Sequence, residues 1–170
     1  MKTTKGVMYF LVVTTISFII TNCTQDNNSV SAEEITQTII NLEKGALDRW
    51  GAGDPWGYSE IYADEITYFS PGTERRLNGI DTMNALFKPI VGEVTVDHYD
   101  LINPKVQIYE NVAVLTFNSI SYLPTAKRTL RESHWNCTEV YIKINEKWKI
   151  IHSHWSRPPT NPKTDTEEKI

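Results

Sequence analysis

The hydrophobic pattern at the start of the folded region predicts a long amphipathic helix after Ser31. Ser31 and Glu34 have the spacing of a capping box, in which the serine oxygen accepts a helix amide and the glutamate reaches back. The helix is expected to end at Gly51-Ala-Gly53. Its apolar stripe, which we expect to face the core, consists of Ile35, Ile39, Leu42, Ala46, Leu47 and Trp50.

Two shorter helices are predicted further along the chain. One follows Asp54-Pro55, where aspartate suits an N-cap and proline suits the first helical position. The other follows Asn78-Gly79 and closes at Pro89. Aromatic residues of the first of these helices are candidates for a pocket wall.

The remaining runs alternate with a period of two, which is typical of strands. They cover residues 64–70, 74–77, 94–109, 112–123 and 130–144, and a last run that ends at Ser156. Helices that are segregated from an antiparallel meander predict an α+β domain. We expect three N-terminal helices packed on a strongly curved antiparallel sheet, which gives a cone-shaped α+β barrel with a conical cavity.

The final strand carries large apolar groups on both faces, so it belongs in the middle of a sheet. Strict alternation assigns one face to Trp148, Ile150, His152, His154 and Ser156, and the other to Lys149, Ile151, Ser153 and Trp155.

The first 22 residues have the layout of a secretory signal peptide, with Lys2 and Lys5 before an apolar run that is short for a membrane span. The sequence Ile20-Thr21-Asn22-Cys23 resembles a bacterial lipobox. That resemblance implies that Cys23 is lipidated and begins the mature chain, within a polar tether that covers residues 23–30. Because Thr24 is not aspartate, it also implies an anchor in the outer membrane, on the periplasmic side. Simple secretion without a lipid anchor stays open as the alternative.

Residues 31–158 are expected to form one domain, and residues 159–170 a disordered tail. The formal net charge of −4 and the lack of a basic stripe argue against a nucleic-acid partner. Membrane contact is expected only through the lipid anchor. Cys137 is expected to be a buried small side chain, although a disulfide with Cys23 stays open as an alternative.

The order of elements and three segments resemble the nuclear transport factor 2-like superfamily, in its SnoaL-like branch, which is related to the calcium/calmodulin-dependent protein kinase II association domain. The segments are Glu65–Gly72, Asn78-Gly79 and Lys147–Ser156. The resemblance implies a pocket between sheet and helices and a homodimer formed through sheet surfaces. The face that carries Ile151, Ser153 and Trp155 suits such an interface.

Residue types with an apolar body and a polar tip mark the expected ligand pocket. The candidates are Trp56, Tyr58, Tyr68, Ser70, His98, His152 and His154. His152 and His154 project from one strand face about 7 Å apart. We expect pocket chemistry for His152 and a structural hydrogen bond for His154, and no metal because spacing fixes no third ligand.

Three residues are candidates for acid–base catalysis: His152, Glu139 and His98. His98 lies two positions from Asp100, which suits either a base with its carboxylate or, preferably, a solvated strand end. Glu139 shares a face with Trp135, Cys137 and Tyr141. On an inner face it would be an acid–base candidate, and on an outer face a polar interface residue.

Function is predicted only as a class, because this fold hosts many activities. The first hypothesis is a module that binds a small, partly apolar molecule. The second is an isomerase, cyclase or hydrolase that works without a metal or organic cofactor, with a pocket His or Glu as base. The third is a dimeric assembly domain.

Overall fold

The computed structural model describes residues 30–159. The predicted signal peptide, the lipidation at Cys23, the tether up to residue 29 and the tail from residue 160 therefore lie outside the described residues. Among residues 30–159, no helix is long and apolar enough to cross a membrane.

Helices and strands follow one another in the order that the sequence predicts. They are α1 (Ala32–Gly51), α2 (Trp56–Ile61), β1 (Tyr62–Phe69), β2 (Leu77–Asn78), α3 (Ile80–Phe87), a 3₁₀ turn (Lys88–Ile90), β3 (His98–Tyr109), β4 (Val112–Pro124), β5 (Leu130–Ile144) and β6 (Lys147–Ser156). The predicted α+β class, with N-terminal helices packed on one curved sheet, is confirmed, and this sheet is unclosed.

The six strands form one sheet in the order β2-β1-β6-β5-β4-β3. The four long strands from β3 to β6 are antiparallel neighbours, as expected for a meander. The pairing of β1 with β6 is parallel, which the meander pattern does not predict. This pair places β1, the first strand along the chain, next to β6, the last strand.

Helix α1 begins with the predicted capping box. The Glu34 amide donates to Ser31 Oγ at 3.1 Å, and the Ser31 amide donates to Glu34 Oε2 at 2.8 Å. At the other end, Arg49 forms ion pairs with Asp54 and Glu60, both at 2.7 Å. These contacts link the end of α1 to the following loop and to α2, and both helices border the cavity described below.

Gly53 makes the turn between α1 and α2 possible. Its φ of +82° lies in the left-handed region, and its carbonyl accepts the amide of Gly92 at 2.8 Å. A Cβ at Gly53 would lie 3.0 Å from the Gly92 Cα. Glycine is therefore required here for both conformation and space.

A β-bulge at Ile151 reverses the expected faces of β6. Tyr141 is paired with Ile150, and the preceding residue Val140 is paired with His152, so Ile151 has no partner across the sheet. Such a bulge adds one residue to a strand and restarts its alternation.

The faces before and after the bulge therefore differ from a strict period of two. Trp148 and Ile150 are buried on the inner face, and Ser153 is buried there as well. His152 and His154 are paired with outer-face residues and lie on the opposite side of the sheet. The expectation that the histidines share a face with Trp148 and Ile150 does not hold.

Candidate functional site

A cavity of about 320 Å³ lies between the helices and the inner face of the sheet. Its walls come from α1, α2 and α3 on one side and from β1, β4, β5 and β6 on the other. Most of the lining is apolar, and Ser70 and Ser121 are its serine residues. The aromatic lining residues are Trp50, Tyr58, Tyr62, Tyr68, Phe87, Trp135 and Trp155. A volume and lining of this kind are typical of small-molecule pockets.

Glu43 lies on the apolar face of α1 and is fully buried. Its Oε1 accepts the Tyr58 hydroxyl at 2.7 Å, and its Oε2 accepts the Tyr141 hydroxyl at 2.9 Å. Burial raises the pKa of Glu43 to about 7, although both tyrosine hydrogen bonds act in the opposite direction. Because Tyr58 also lines the cavity, this carboxyl lies directly behind the cavity wall.

Glu139 is the second fully buried carboxyl, on the inner face of β5. Its Oε1 accepts Ser153 Oγ at 2.9 Å and Trp155 Nε1 at 2.8 Å. Its Oε2 is buried and has no hydrogen-bond partner among the described residues. Burial raises the pKa of Glu139 well above its ordinary value, and the nearby Glu43 raises it further.

The two carboxyls form one electrostatic unit behind the cavity wall, where they bond to the lining residues Tyr58 and Trp155. Two like charges that are both removed from water cannot readily ionise together. Each oxygen of Glu43 accepts a hydrogen bond from a tyrosine hydroxyl, which favours the charged form of this carboxyl. Glu139 accepts hydrogen bonds on Oε1 only, within the part of the chain that the structure describes. At neutral pH the pair therefore holds at least one proton, and Glu139 is the better place for it.

Three of the sequence-predicted pocket residues line this cavity: Tyr58, Tyr68 and Ser70. The other aromatic candidate, Trp56, is partly buried against the core and is outside the lining. Glu139 lies on the inner face, which is the arrangement that makes it an acid–base candidate.

The three histidine candidates lie outside the cavity. His98 stacks on Tyr122 and pairs with Asp97 at 2.8 Å, with about half of its side chain exposed. His152 Nδ1 lies 2.8 Å from Thr67 Oγ1, and burial lowers the pKa of His152. His154 borders a shallow polar groove of about 360 Å³ on the outer face of the sheet. The structure does not bring any of them to Glu139.

Ile151, Ser153 and Trp155 were expected to form a dimer interface, but two of them belong to the interior. Ser153 is fully buried under Glu139, and the Trp155 indole lines the cavity. The bulge at Ile151 is the physical reason, because it turns these residues inward.

Glu43 and Tyr141 belong to the site but were not singled out from the sequence. A signal for Glu43 was present, since it lies four positions after Ile39 and seven before Trp50, on the apolar stripe of α1. A carboxylate at such a position needs a buried partner, and Tyr141 on β5 is one of them.

Metal binding has no support from the described part of the chain. Within residues 30–159, no group of three or more His, Cys, Asp or Glu side chains is placed to hold a metal ion. Cys137 is buried, and its surroundings raise the pKa of its thiol.

Comparison with solved structures gives matches over most of this domain. A protein from Parabacteroides distasonis, provisionally described as a ketosteroid isomerase, is 38% identical over 75% of this chain and 91% of its own, with a TM-score of 0.66. The association domain of the Caenorhabditis elegans kinase CaMKII is 20% identical over 73% and 96% of the two chains, with a TM-score of 0.64. A nuclear transport factor 2-like protein from Pseudomonas putida is 19% identical over 79% and 94%, with a TM-score of 0.65.

Curated protein sequences gave no match to this chain. Among family models, the calcium/calmodulin dependent protein kinase II association domain matches residues 35–159. This range covers α1 from its first turn through the end of β6, and thus every wall of the cavity. The chain belongs to the calcium/calmodulin dependent protein kinase II association domain family, with a nuclear transport factor 2-like fold.

Proposed function

We propose that this protein binds a small, largely apolar molecule in the cavity between its helices and its sheet. The observation that carries the proposal is an aromatic cavity of about 320 Å³ with two buried carboxyls behind its wall. A core that served stability alone would gain more from filling this space, because unfilled volume and unpaired buried polar atoms both cost free energy.

The test is a thermal-shift screen of chemically diverse small molecules on a matched pair of variants. Leu86 and Ala85 are neighbouring exposed residues of α3, but only Leu86 lines the cavity. A ligand at a hundred times its dissociation constant should stabilise the parent by about 2.7 kcal/mol. Leu86→Trp should lose this stabilisation, and Ala85→Trp should keep it. A screen without any stabilising compound, or equal stabilisation of both variants, contradicts the proposal.

A proton-transfer enzyme is the second candidate, and Glu139 is the observation in its favour. A buried carboxyl with a raised pKa and one unpartnered oxygen suits a general acid or base. The Parabacteroides distasonis relative, provisionally described as a ketosteroid isomerase, is consistent with this class. An enzyme of this kind would turn over a cavity ligand, and Glu139→Gln would abolish turnover while binding remained.

Self-association is the third part of the proposal. Hub domains among the solved relatives support it. Within residues 30–159, no helix covers the outer face of the sheet, and its strands carry Val114, Val140 and Ile142 there. We therefore place the contact between copies on this face, opposite the cavity.

Export and lipid anchoring at Cys23 remain part of the proposal, on the basis of the signal layout and the lipobox-like segment. Mass spectrometry of the membrane fraction should detect an acylated Cys23 at the start of the mature chain. An unmodified mature protein in the soluble fraction would contradict the anchor.

A further inference from the structure

Glu139 has an incomplete set of hydrogen bonds behind the cavity wall. Ser153 and Trp155 both donate to Oε1, and Oε2 is buried and receives no hydrogen bond from any residue between 30 and 159. The Trp155 indole that donates to Glu139 also forms part of the cavity wall. Among the described residues, Glu139 itself does not line the cavity, and Trp155 is the residue that both lines the cavity and bonds to this carboxyl.

Every ionisable group around this carboxyl is neutral or acidic. None of the residues that line the cavity is lysine, arginine or histidine, in the part of the chain that the structure describes. The titratable groups that face Glu139 from the neighbouring elements are Glu43 of α1, Tyr58 of α2, Tyr62 and Tyr68 of β1, and Cys137 and Tyr141 of β5. Within residues 30–159, none of these neighbouring groups carries a positive charge.

Aromatic rings surround the same space. Trp50, Tyr58, Tyr62, Tyr68 and Trp155 all line the cavity. The faces of such rings carry negative potential and attract cations, most strongly where water is excluded. Rings together with a carboxylate are a setting that favours an organic ammonium group over an anion or a purely apolar molecule.

We infer that the ligand of this cavity is a small apolar amine whose ammonium group donates a hydrogen bond to Oε2 of Glu139. This inference rests on the proposed binding function and names its ligand class. The apolar part of the amine occupies the aromatic cavity, and the ammonium group supplies both the absent donor and the absent charge. Because Glu139 is fully buried, a wall side chain such as Trp155 must shift for contact.

Binding of this kind has a proton balance that can be measured. In the empty cavity the carboxyl pair holds at least one proton. A bound ammonium ion favours the carboxylate, so the acid proton leaves to solvent as the ion pair forms. Affinity for the amine should therefore rise with pH across the range in which the free pair titrates.

Calorimetric titration with 2-phenylethylamine and its neutral analogue 2-phenylethanol tests the inference. At pH 6 to 7, in two buffers with different ionisation enthalpies, the amine should bind at least tenfold more tightly than the alcohol and should release up to about one proton. Glu139→Gln should remove the advantage of the amine without weakening the alcohol. The proton count uses the parent protein, so it stands even if the variant does not fold.

The outcomes separate this inference from the proposed function. Equal binding of amine and alcohol, or amine binding without proton release, overturns the amine assignment and leaves a binding cavity. Absence of binding by both compounds also overturns the amine assignment. The screen of diverse compounds with Leu86→Trp then decides independently whether the cavity binds anything.

Discussion

Glu43 and Glu139 couple the stability of this fold to pH. In the unfolded chain Glu43 loses its proton near its ordinary pKa of 4.5, whereas in the folded protein it keeps that proton until about pH 7. Between these values the folded state binds more protons than the unfolded state. The free energy of unfolding therefore falls as pH rises through this window, by about 1.4 kcal/mol per pH unit for each such carboxyl.

Replacing Glu43 with Gln should flatten this dependence. Urea unfolding of the parent at pH 5, 6 and 7 should show a steeper loss of stability than Glu43→Gln, by up to about 1.4 kcal/mol per pH unit. Thr36→Ala is a control in the same helix, because it removes a hydroxyl bonded to the Ala32 carbonyl without removing a titratable group. Parallel curves for the parent and Glu43→Gln would show that Glu43 does not titrate in this range.

Residues of the site differed in how far the sequence could identify them. Tyr58 and Tyr68 could be chosen because aromatic residues with polar tips near a helix–strand junction are good wall candidates. Glu139 could be chosen as an acid–base candidate, but it could not be assigned to the inner or the outer face. Alternation shows which residues share a face of a strand and does not show which of the two faces points inward. Its hydrogen bonds to Ser153 and Trp155 depend on the register between β5 and β6, which no local pattern contains.

Among the elements, β6 shows the limit of pattern analysis. Its length follows from the length of the alternating run, and its central position follows from the apolar residues on both of its faces. The bulge at Ile151 does not, because Ile150-Ile151 fits an uninterrupted strand equally well. Because Ile151 is an extra residue in β6, His152 and His154 lie on the outer face and Trp155 lines the cavity. The histidines expected in the pocket and the residues expected at the interface therefore lie on opposite faces from those predicted.

The loop between α1 and α2 requires glycine at position 53, so a substitution there should destabilise the fold. Gly53→Ala should destabilise the fold by about 1 kcal/mol or more, because a side chain is strained at positive φ and its Cβ would crowd Gly92. Gly45→Ala is the matched substitution inside α1, where a Cβ meets nothing within 4 Å. It should stabilise by about 0.5–1 kcal/mol. Thermal unfolding of both variants measures the two effects, and a Gly53→Ala protein as stable as the parent would contradict the account of the turn.

At the scale of the whole molecule, the two faces of the sheet carry different residues. The inner face borders the cavity and carries Glu139, and Glu43 of α1 accepts a hydrogen bond from Tyr141 of this face. The outer face carries all four histidines of the sequence: His98, His134, His152 and His154. The fold and its element order could be predicted because they follow from periodicity and capping. The assignment of the β6 residues to the two faces could not be predicted, because it depends on the bulge at Ile151.

The assignment of self-association to the outer face can be tested by adding a charge. Val140 lies on β5, near the centre of that face, and is only partly exposed. Val140→Lys should reduce the mass measured by sedimentation to that of one chain, because an unpaired ammonium group at an apolar contact is costly. Thr82→Lys on the exposed side of α3 should leave the mass unchanged. An unaltered mass for Val140→Lys would place the contact elsewhere.

The most direct test of the account is a crystal structure of the protein soaked with the most stabilising compound from the screen. We expect the compound between α3 and the inner face of the sheet, in contact with Tyr68 and Trp155, with its polar group at Oε2 of Glu139. A compound bound only on the outer face, with the cavity filled by water, would contradict the assignment of the cavity as the functional site.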